Sequence, residues 1–350
     1  MGDPRFMHTY RNILSAIALV LSGCSSETVA QPPPAPVNWQ SLLVRPVVDA
    51  GGDIISAKER ALAEVYASAL SSPGIAQLGP LLDDEAHFAS PGLDDAHGRG
   101  AVAHAHDLLL GAFDDRKVAT SRVWRTPNEQ TIEWTMTGTH ARTWMGIAAT
   151  HKPVAFTGLS LLWTRDDGSI TDVHLYVDVA IVKAQLGVGP KELLALPLST
   201  PPTGPAQVFE QTQPASADEQ KDLTVVRSWF DALENRKEVD YVGSVTDGFE
   251  VDDLEHSEPA RGKEAARTYY KALHKAVGQL DTTVDNGWGV DRFAVVEYSI
   301  AGEQLGPIGW IPAQRDKVFS LELVDICEIS AGQIARVWRY DNPTQILGGP

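Results

Sequence analysis

The chain has 350 residues, 43% of them hydrophobic, a content that builds packed domains and excludes a disordered scaffold. A formal net charge of -17, with no Lys/Arg-rich run against it, excludes binding to phosphate backbones or anionic headgroups by simple electrostatics, so no nucleic acid partner is expected. The cysteines are Cys24 and Cys327. With the first placed where processing would consume it, no internal disulfide is expected.

In chain order, Arg5 and Arg11 precede the apolar stretch Ile13 to Leu21, which ends in Leu21-Ser22-Gly23-Cys24. That stretch is too short to span a bilayer and has the layout of a signal peptide over residues 1–23. The run LSGC resembles the bacterial lipobox, which implies a diacylglycerol on Cys24 and attachment to the membrane through that lipid alone. The resemblance places the chain in the cell envelope. With Ser25 rather than Asp after the cysteine it implies the outer membrane, or the outer face of the plasma membrane where no outer membrane exists. Residues 24–39 are small, polar and proline-rich and read as a tether. Residues 188–220 carry Pro190, Pro197, Pro201, Pro202, Pro205 and Pro214 and read as a linker, with one helical turn at Lys191 to Leu196. Two domains remain, 40–187 and 221–350.

The first domain opens with Leu62, Val65, Tyr66, Ala69 and Leu70 at helical spacing behind a Ser56/Glu59 capping box, and a second helix is expected near Gly100 to Phe113. The period then changes to two through Ile132, Trp134 and Met136, and Asp166-Asp167-Gly168 separates the apolar run Val154 to Trp163 from Ile170 to Asp178. Helices followed by an antiparallel meander predict an α+β domain with the helices on one face of a curved sheet. The second domain repeats the order. Arg261-Gly262 answers Arg99-Gly100, and Glu297 and Gly302 keep the five-residue separation of Glu133 and Gly138, as a duplication would.

Met145-Gly146-Ile147, Thr150-His151-Lys152-Pro153-Val154 and the closing Gly168 to Gln185-Leu186-Gly187 resemble the loop, strand and tail of the SnoaL-like polyketide cyclases and ester cyclases. The resemblance covers most of 55–187 and, more weakly, 221–347. It implies tandem cone-shaped domains of the nuclear transport factor 2-like superfamily, the two cones pairing internally, and no metal or organic cofactor. It also implies an aspartate on the closing strand as acid/base for an intramolecular aldol closure, and Asp178 holds that position. On an extended strand Ile170, Asp172, His174, Tyr176 and Asp178 share a face, expected to line the cone, with His174 and Tyr176 orienting the aspartate or an enolate. Trp134, Trp144, Met145 and Phe156 are the expected pocket wall.

In the second copy the matching face carries Trp338, Tyr340 and Asn342, with Asp341 on the opposite face, so this half reads as having lost its acid/base. Asp252-Asp253-Leu254-Glu255-His256 lacks calcium-loop spacing and reads as a solvated loop. His104 and His106, two apart on a helix, point to different sides and cannot share a metal. The anchor and the altered second copy favour binding of a small apolar ligand or partner without turnover. The alternative is a cofactor-independent cyclase or isomerase-like enzyme using Asp178.

Overall fold

The computed structural model describes residues 55–73, 76–211, 216–314 and 317–348. The signal stretch, Cys24 and the tether lie outside the described residues. The first domain comprises helix α1 (Ala57–Ser71), strands β1 (Leu82–Ala89) and β2 (Ala96–His97), helix α2 (Arg99–Leu110), strands β3 (Phe113–Arg125), β4 (Glu129–His140), β5 (Pro153–Thr164) and β6 (Ile170–Val177), and helix α3 (Val179–Leu186). After strand β7 (Gln207–Glu210), the second domain runs through α4 (Ala217–Glu234), α5 (Glu238–Gly243), β8 (Val245–Asp253), β9 (Ala260–Arg261) and α6 (Gly262–Ala276). It ends with β10 (Val277–Val290), β11 (Phe293–Gln304), β12 (Lys317–Ser330) and β13 (Gln333–Asp341).

The opening helices start where side chains satisfy their first free amides. Ser56 and Glu59 form a reciprocal capping box at α1, and Ser216 and Glu219 repeat it at α4. The first sheet has the order β2-β1-β6-β5-β4-β3-β7 and the second β10-β11-β12-β13-β8-β9. Apart from β7 they are the same meander, each with its closing strand (β6, β13) paired parallel to its first long strand (β1, β8). Both sheets are open. No helix among the described residues is long and apolar enough to cross a membrane.

Each sheet has an inner and an outer face. Inside the first, Tyr66, Phe88, Leu109, Trp134, Val173 and Leu175 pack between helices and strands in one buried cluster. Inside the second, Trp229, Phe230, Tyr241, Tyr298 and Val337 do the same. The outer faces meet each other. Trp124, Leu159, Leu161 and Tyr176 of the first sheet share a buried cluster with Trp288, Phe293, Val295, Val324, Ile326, Trp338 and Tyr340 of the second.

The segment between the domains departs from a plain linker. Its helical turn is confined to Lys191–Leu193, and Gln207–Glu210 adds to the first sheet, parallel to Arg122–Arg125 of β3. Phe209 on this strand lies 4.3 Å, ring centre to ring centre, from Phe293 of the second domain, and Glu210 pairs with Arg60 and Arg125. Four residues between turn-formers carry too little periodicity to be read as a strand without the edge that they pair with.

Leu161 is fully buried in the shared cluster, so Leu161→Ala removes packing from the contact between sheets while leaving both cones intact. The expected loss is about 2–5 kcal/mol of unfolding free energy, read by urea titration, with far-UV circular dichroism of the native state unchanged.

Candidate active site

The closing strands decide where the chemistry sits. On β6 the side chains of Val173, Leu175 and Val177 enter the core of the first cone, and those of His174 and Tyr176 face the second domain. A register irregularity between Ile170 and Asp172 puts Ile170 in the core as well. The expectation that His174 and Tyr176 line the cone is therefore corrected. Tyr176 Oη donates to Glu297 Oε1 at 2.8 Å, and His174 Nδ1 lies 2.7 Å from the same oxygen. Alternation defines two faces of a strand, but it does not say which is covered by helices and which by a second sheet.

The matching contact runs the other way. Tyr340 Oη donates to Glu133, which also accepts from Arg122, as Glu297 accepts from Asn286. Trp338 lies in the shared cluster with the Arg122 guanidinium 4.4 Å from its ring centre. Asn342 donates across the boundary to the Pro91 carbonyl at 2.9 Å. Trp338, Tyr340 and Asn342 thus join the domains and do not form a pocket wall.

The first cone is packed with apolar side chains at the positions expected to act on a ligand. Trp134 donates to Ser160 Oγ at 2.9 Å, and its ring lies so close to Gly158 that a Cβ there would fall 2.4 Å from it. Trp144 donates to the Leu109 carbonyl and is buried, Met145 packs partly buried at the edge of the core, and Phe156 belongs to it. His106 bonds Tyr66 at 3.1 Å while His104 is exposed, and burial pushes the His106 ring down to about 4, so it is neutral.

The second cone differs at the same register. Where the first has Ser90, Leu175 and Val177, the second has Asp253, Arg339 and Asp341. A cavity of about 300 Å³ opens there, with Ile300, Phe319, Leu321, Leu323 and Ile346 as an apolar wall and Asp253, Glu255, His256, Tyr269, Arg339 and Asp341 as the polar one. A neighbouring cavity of about 480 Å³ shares Asp253, His256, Tyr269 and Arg339 and continues past Trp229, Tyr241 and Phe249. Arg339 is held by two bonds to Asp325, at 2.9 and 2.7 Å, and Tyr298 completes that carboxylate. Its charge is thereby neutralised within the wall.

The carboxyls here have displaced proton affinities. Burial, then Asp253 and Glu255, hold Asp341 well above the usual carboxylate range. Burial, then Asp178 and Asp253, push Glu255 up to about 8, against a hydrogen bond from the Trp310 indole. Burial would raise Asp253 too, but His256, the Glu255 amide and Arg339 bring it below its ordinary value. Asp178 stands apart from this cavity. It caps α3 by accepting from the Ala180 and Ile181 amides, and with Phe156 it lines an adjoining crevice between the domains, which shares Asp253 and His256 with the cavity.

Asp341 sits opposite Trp338 and Tyr340 as alternation requires, and this is why it reaches the cone. Asp253, Glu255 and His256 come from the segment read as a solvated loop, and the sequence signal for them was the density of titratable groups in DDLEH. Tyr269 and Arg339 had no signal, since only the fold brings α6 across β13.

The SnoaL-like polyketide cyclase model matches residues 60–186 and again 224–347. The chain belongs to this family, as two tandem copies, and both domains have the nuclear transport factor 2-like fold. Similar solved structures include a candidate SnoaL-like polyketide cyclase from Jannaschia sp. CCS1, 21% identical, with a TM-score of 0.35 over 39% of this chain and 99% of its own. TsrD from Streptomyces laurentii is 22% identical, with a TM-score of 0.34 over 37% and 95%. An LEH-like epoxide hydrolase of M. tuberculosis is 13% identical, with a TM-score of 0.31 over 37% and 90%. No curated protein matches the chain.

The His174–Glu297 pair gives stability a defined pH dependence. Burial opposes charge on the His174 ring, but Glu297 outweighs it and raises the ring above its ordinary value, while His174, Asn286 and Tyr176 hold Glu297 low against its own burial. The histidine contribution is complete below the unfolded value of about 6.5 and is lost as pH rises through the raised folded value; the glutamate contribution is lost as pH falls below about 4.5. The melting-temperature advantage of wild type over His174→Gln should therefore be largest near pH 5 to 6 and shrink above neutrality. A constant difference from pH 5 to 9 would sink the ion-pair assignment.

Proposed function

We propose that this SnoaL-like protein is a cofactor-independent acid/base enzyme of the cyclase or isomerase kind, acting on a small, largely apolar carbonyl compound in the cone of its second domain. The observation that carries this reading is the pairing of Asp341 and Glu255, both raised in proton affinity, on one wall of a cavity whose other wall is apolar. Binding without turnover rests on the anchor and on a second copy without an acid/base; Asp341 in the cone removes the second of these grounds. A site that only held an apolar ligand gains nothing from buried carboxyls that cost free energy to keep there.

In this reading the substrate lies along Ile300, Phe319, Leu321 and Leu323. Glu255, able to exchange its proton near neutral pH, takes a proton from the carbon next to the carbonyl. Asp341, protonated, donates a hydrogen bond to the developing enolate oxygen and limits the charge built up in the apolar cone. The enolate carbon then either attacks a second carbonyl of the same molecule, whose oxygen takes up a proton, or recovers a proton elsewhere. Ring closure gives a cyclase and return of the proton an isomerase.

Wild type incubated with 1,3-dicarbonyl probes in deuterated water should exchange the intervening protons, followed by NMR. Asp341→Asn and Glu255→Gln should each slow exchange by roughly 10²- to 10⁴-fold. The wild-type rate should climb through a limb near pH 8 that Glu255→Gln lacks. Exchange unchanged in both variants would overturn the assignment.

We also propose that the cone works in the cell envelope, held by a lipid on Cys24, and that the covalent tandem serves as its own pair in solution. The LSGC run supports the first, and the buried cluster between the sheets supports the second. Cys24→Ala should move the protein from the membrane to the soluble fraction and abolish incorporation of labelled palmitate. The soluble domains should sediment as a monomer, and a dimer would count against the tandem pair.

A further inference from the structure

Between the domains, adjoining the second cone through Asp253 and His256, lies a crevice of about 270 Å³. Phe156, Ile181 and Leu198 give it apolar walls, and Asp178 and Asp253 face it from the first and second domains. Asp178 is 2% exposed. One of its oxygens, Oδ1, accepts from the Ala180 amide at 2.8 Å and the Ile181 amide at 3.1 Å, and the other, Oδ2, has no partner among the described residues. A buried carboxyl oxygen left unsatisfied is costly, and it lines a space that a molecule could enter.

The charge around that oxygen selects what the molecule would be. Asp253 stands in the same crevice, and Asp341 and Glu255 lie behind it within electrostatic reach. Arg339 is committed to Asp325, which leaves His256 as the potential cation among the described residues that line the crevice. An anion would be repelled by this set. A neutral donor would satisfy one oxygen and gain little else. An ammonium group meets carboxyls from both domains and can place its carbon chain on the apolar walls.

We propose that the crevice binds a small organic amine, its ammonium between Asp178 and Asp253 and its apolar body against Phe156, Ile181 and Leu198. This site shares Asp253 and His256 with the polar wall of the cone, but the proposal does not rest on the chemistry proposed there. Burial, then the neighbouring carboxyls Asp341 and Asp253, raise the proton affinity of Asp178, so binding of an ammonium is linked to release of a proton. The titratable and charged groups around Asp178 are Asp341 on β13, Asp252 and Asp253 at the end of β8, and Glu255 and His256 just after it. Affinity should therefore rise with pH as Asp178 gives up its proton.

The probe is n-butylamine, titrated calorimetrically into the soluble two-domain protein at constant ionic strength, with n-butanol and butyrate as uncharged and anionic matches. Saturable binding of the amine alone is expected, with a heat that varies with the ionisation enthalpy of the buffer because a proton is released. Asp178→Asn keeps an oxygen to cap α3 and should bind at least tenfold more weakly. Leu198→Trp, on the exposed connecting segment, fills the crevice without touching either core and should abolish binding if the first variant folds poorly. Absence of amine binding by wild type, equal binding of n-butanol, or undiminished binding in both variants would overturn the proposal.

Discussion

The contact between the two outer sheet faces governs the rest of this molecule. A curved sheet with helices on one side still presents a second face, and here that face carries Trp124, Leu159, Leu161, Trp288, Phe293 and Val295, too much apolar area to leave in water. Each domain supplies the cover for the other. The polar groups that enter the contact come as reciprocal sets, Glu133 with Tyr340 and Arg122, Glu297 with Tyr176, His174 and Asn286. Two buried glutamates are tolerable because each is satisfied several times over, and breaking either set would strand a carboxylate.

With the outer faces occupied, the acid/base chemistry is built inside a cone, and the two cones have diverged there. The substitutions that matter are few and lie at matched positions: Ser90, Leu175 and Val177 against Asp253, Arg339 and Asp341. In the first, Trp134 lies against Gly158 and the interior is core. In the second, Tyr298 and Leu323 stand at the corresponding places and an open, polar-walled cavity remains. The half nearer the chain start supplies rigidity, and the half farther away supplies the cavity.

Much of the fold was legible in the sequence because it rests on periodicity and caps. Ser56 with Glu59 marks the start of α1, alternation through Ile132, Trp134 and Met136 marks β4, and the repeated Arg-Gly and Glu-Gly landmarks reveal the tandem. The site was less legible because one ambiguity propagates through it. Alternation on β6 correctly separates His174 and Tyr176 from Val173, Leu175 and Val177, but it does not tell that the polar set faces a neighbouring sheet and not a ligand. Once that choice is reversed on β13, Asp341 moves into the cone and Trp338, Tyr340 and Asn342 move to the domain boundary. Asp253, Glu255 and Tyr269 could not be placed by pattern, since what gives them meaning is their meeting with β13 in space.

The acidic groups at the second cone show why the joined sheets matter to chemistry as well as to stability. Glu255 raises the proton affinity of Asp341, Asp341 that of Asp178, and Asp178 that of Glu255, and Asp178 belongs to the other domain. Such mutual influence requires the domains to be held at constant separation, because Coulomb energy between buried charges changes steeply over a few ångströms. The reciprocal glutamate sets and the aromatic cluster supply that constancy, and Asn342, one residue past Asp341, ties the end of β13 directly to Pro91 of the first domain. The proton affinity of Glu255 is in this sense a property of the tandem: separated from the first domain, the second would lose the Asp178 carboxyl that helps hold Glu255 near 8. A covalent duplication thus lets one copy shape the electrostatics of a cavity in the other.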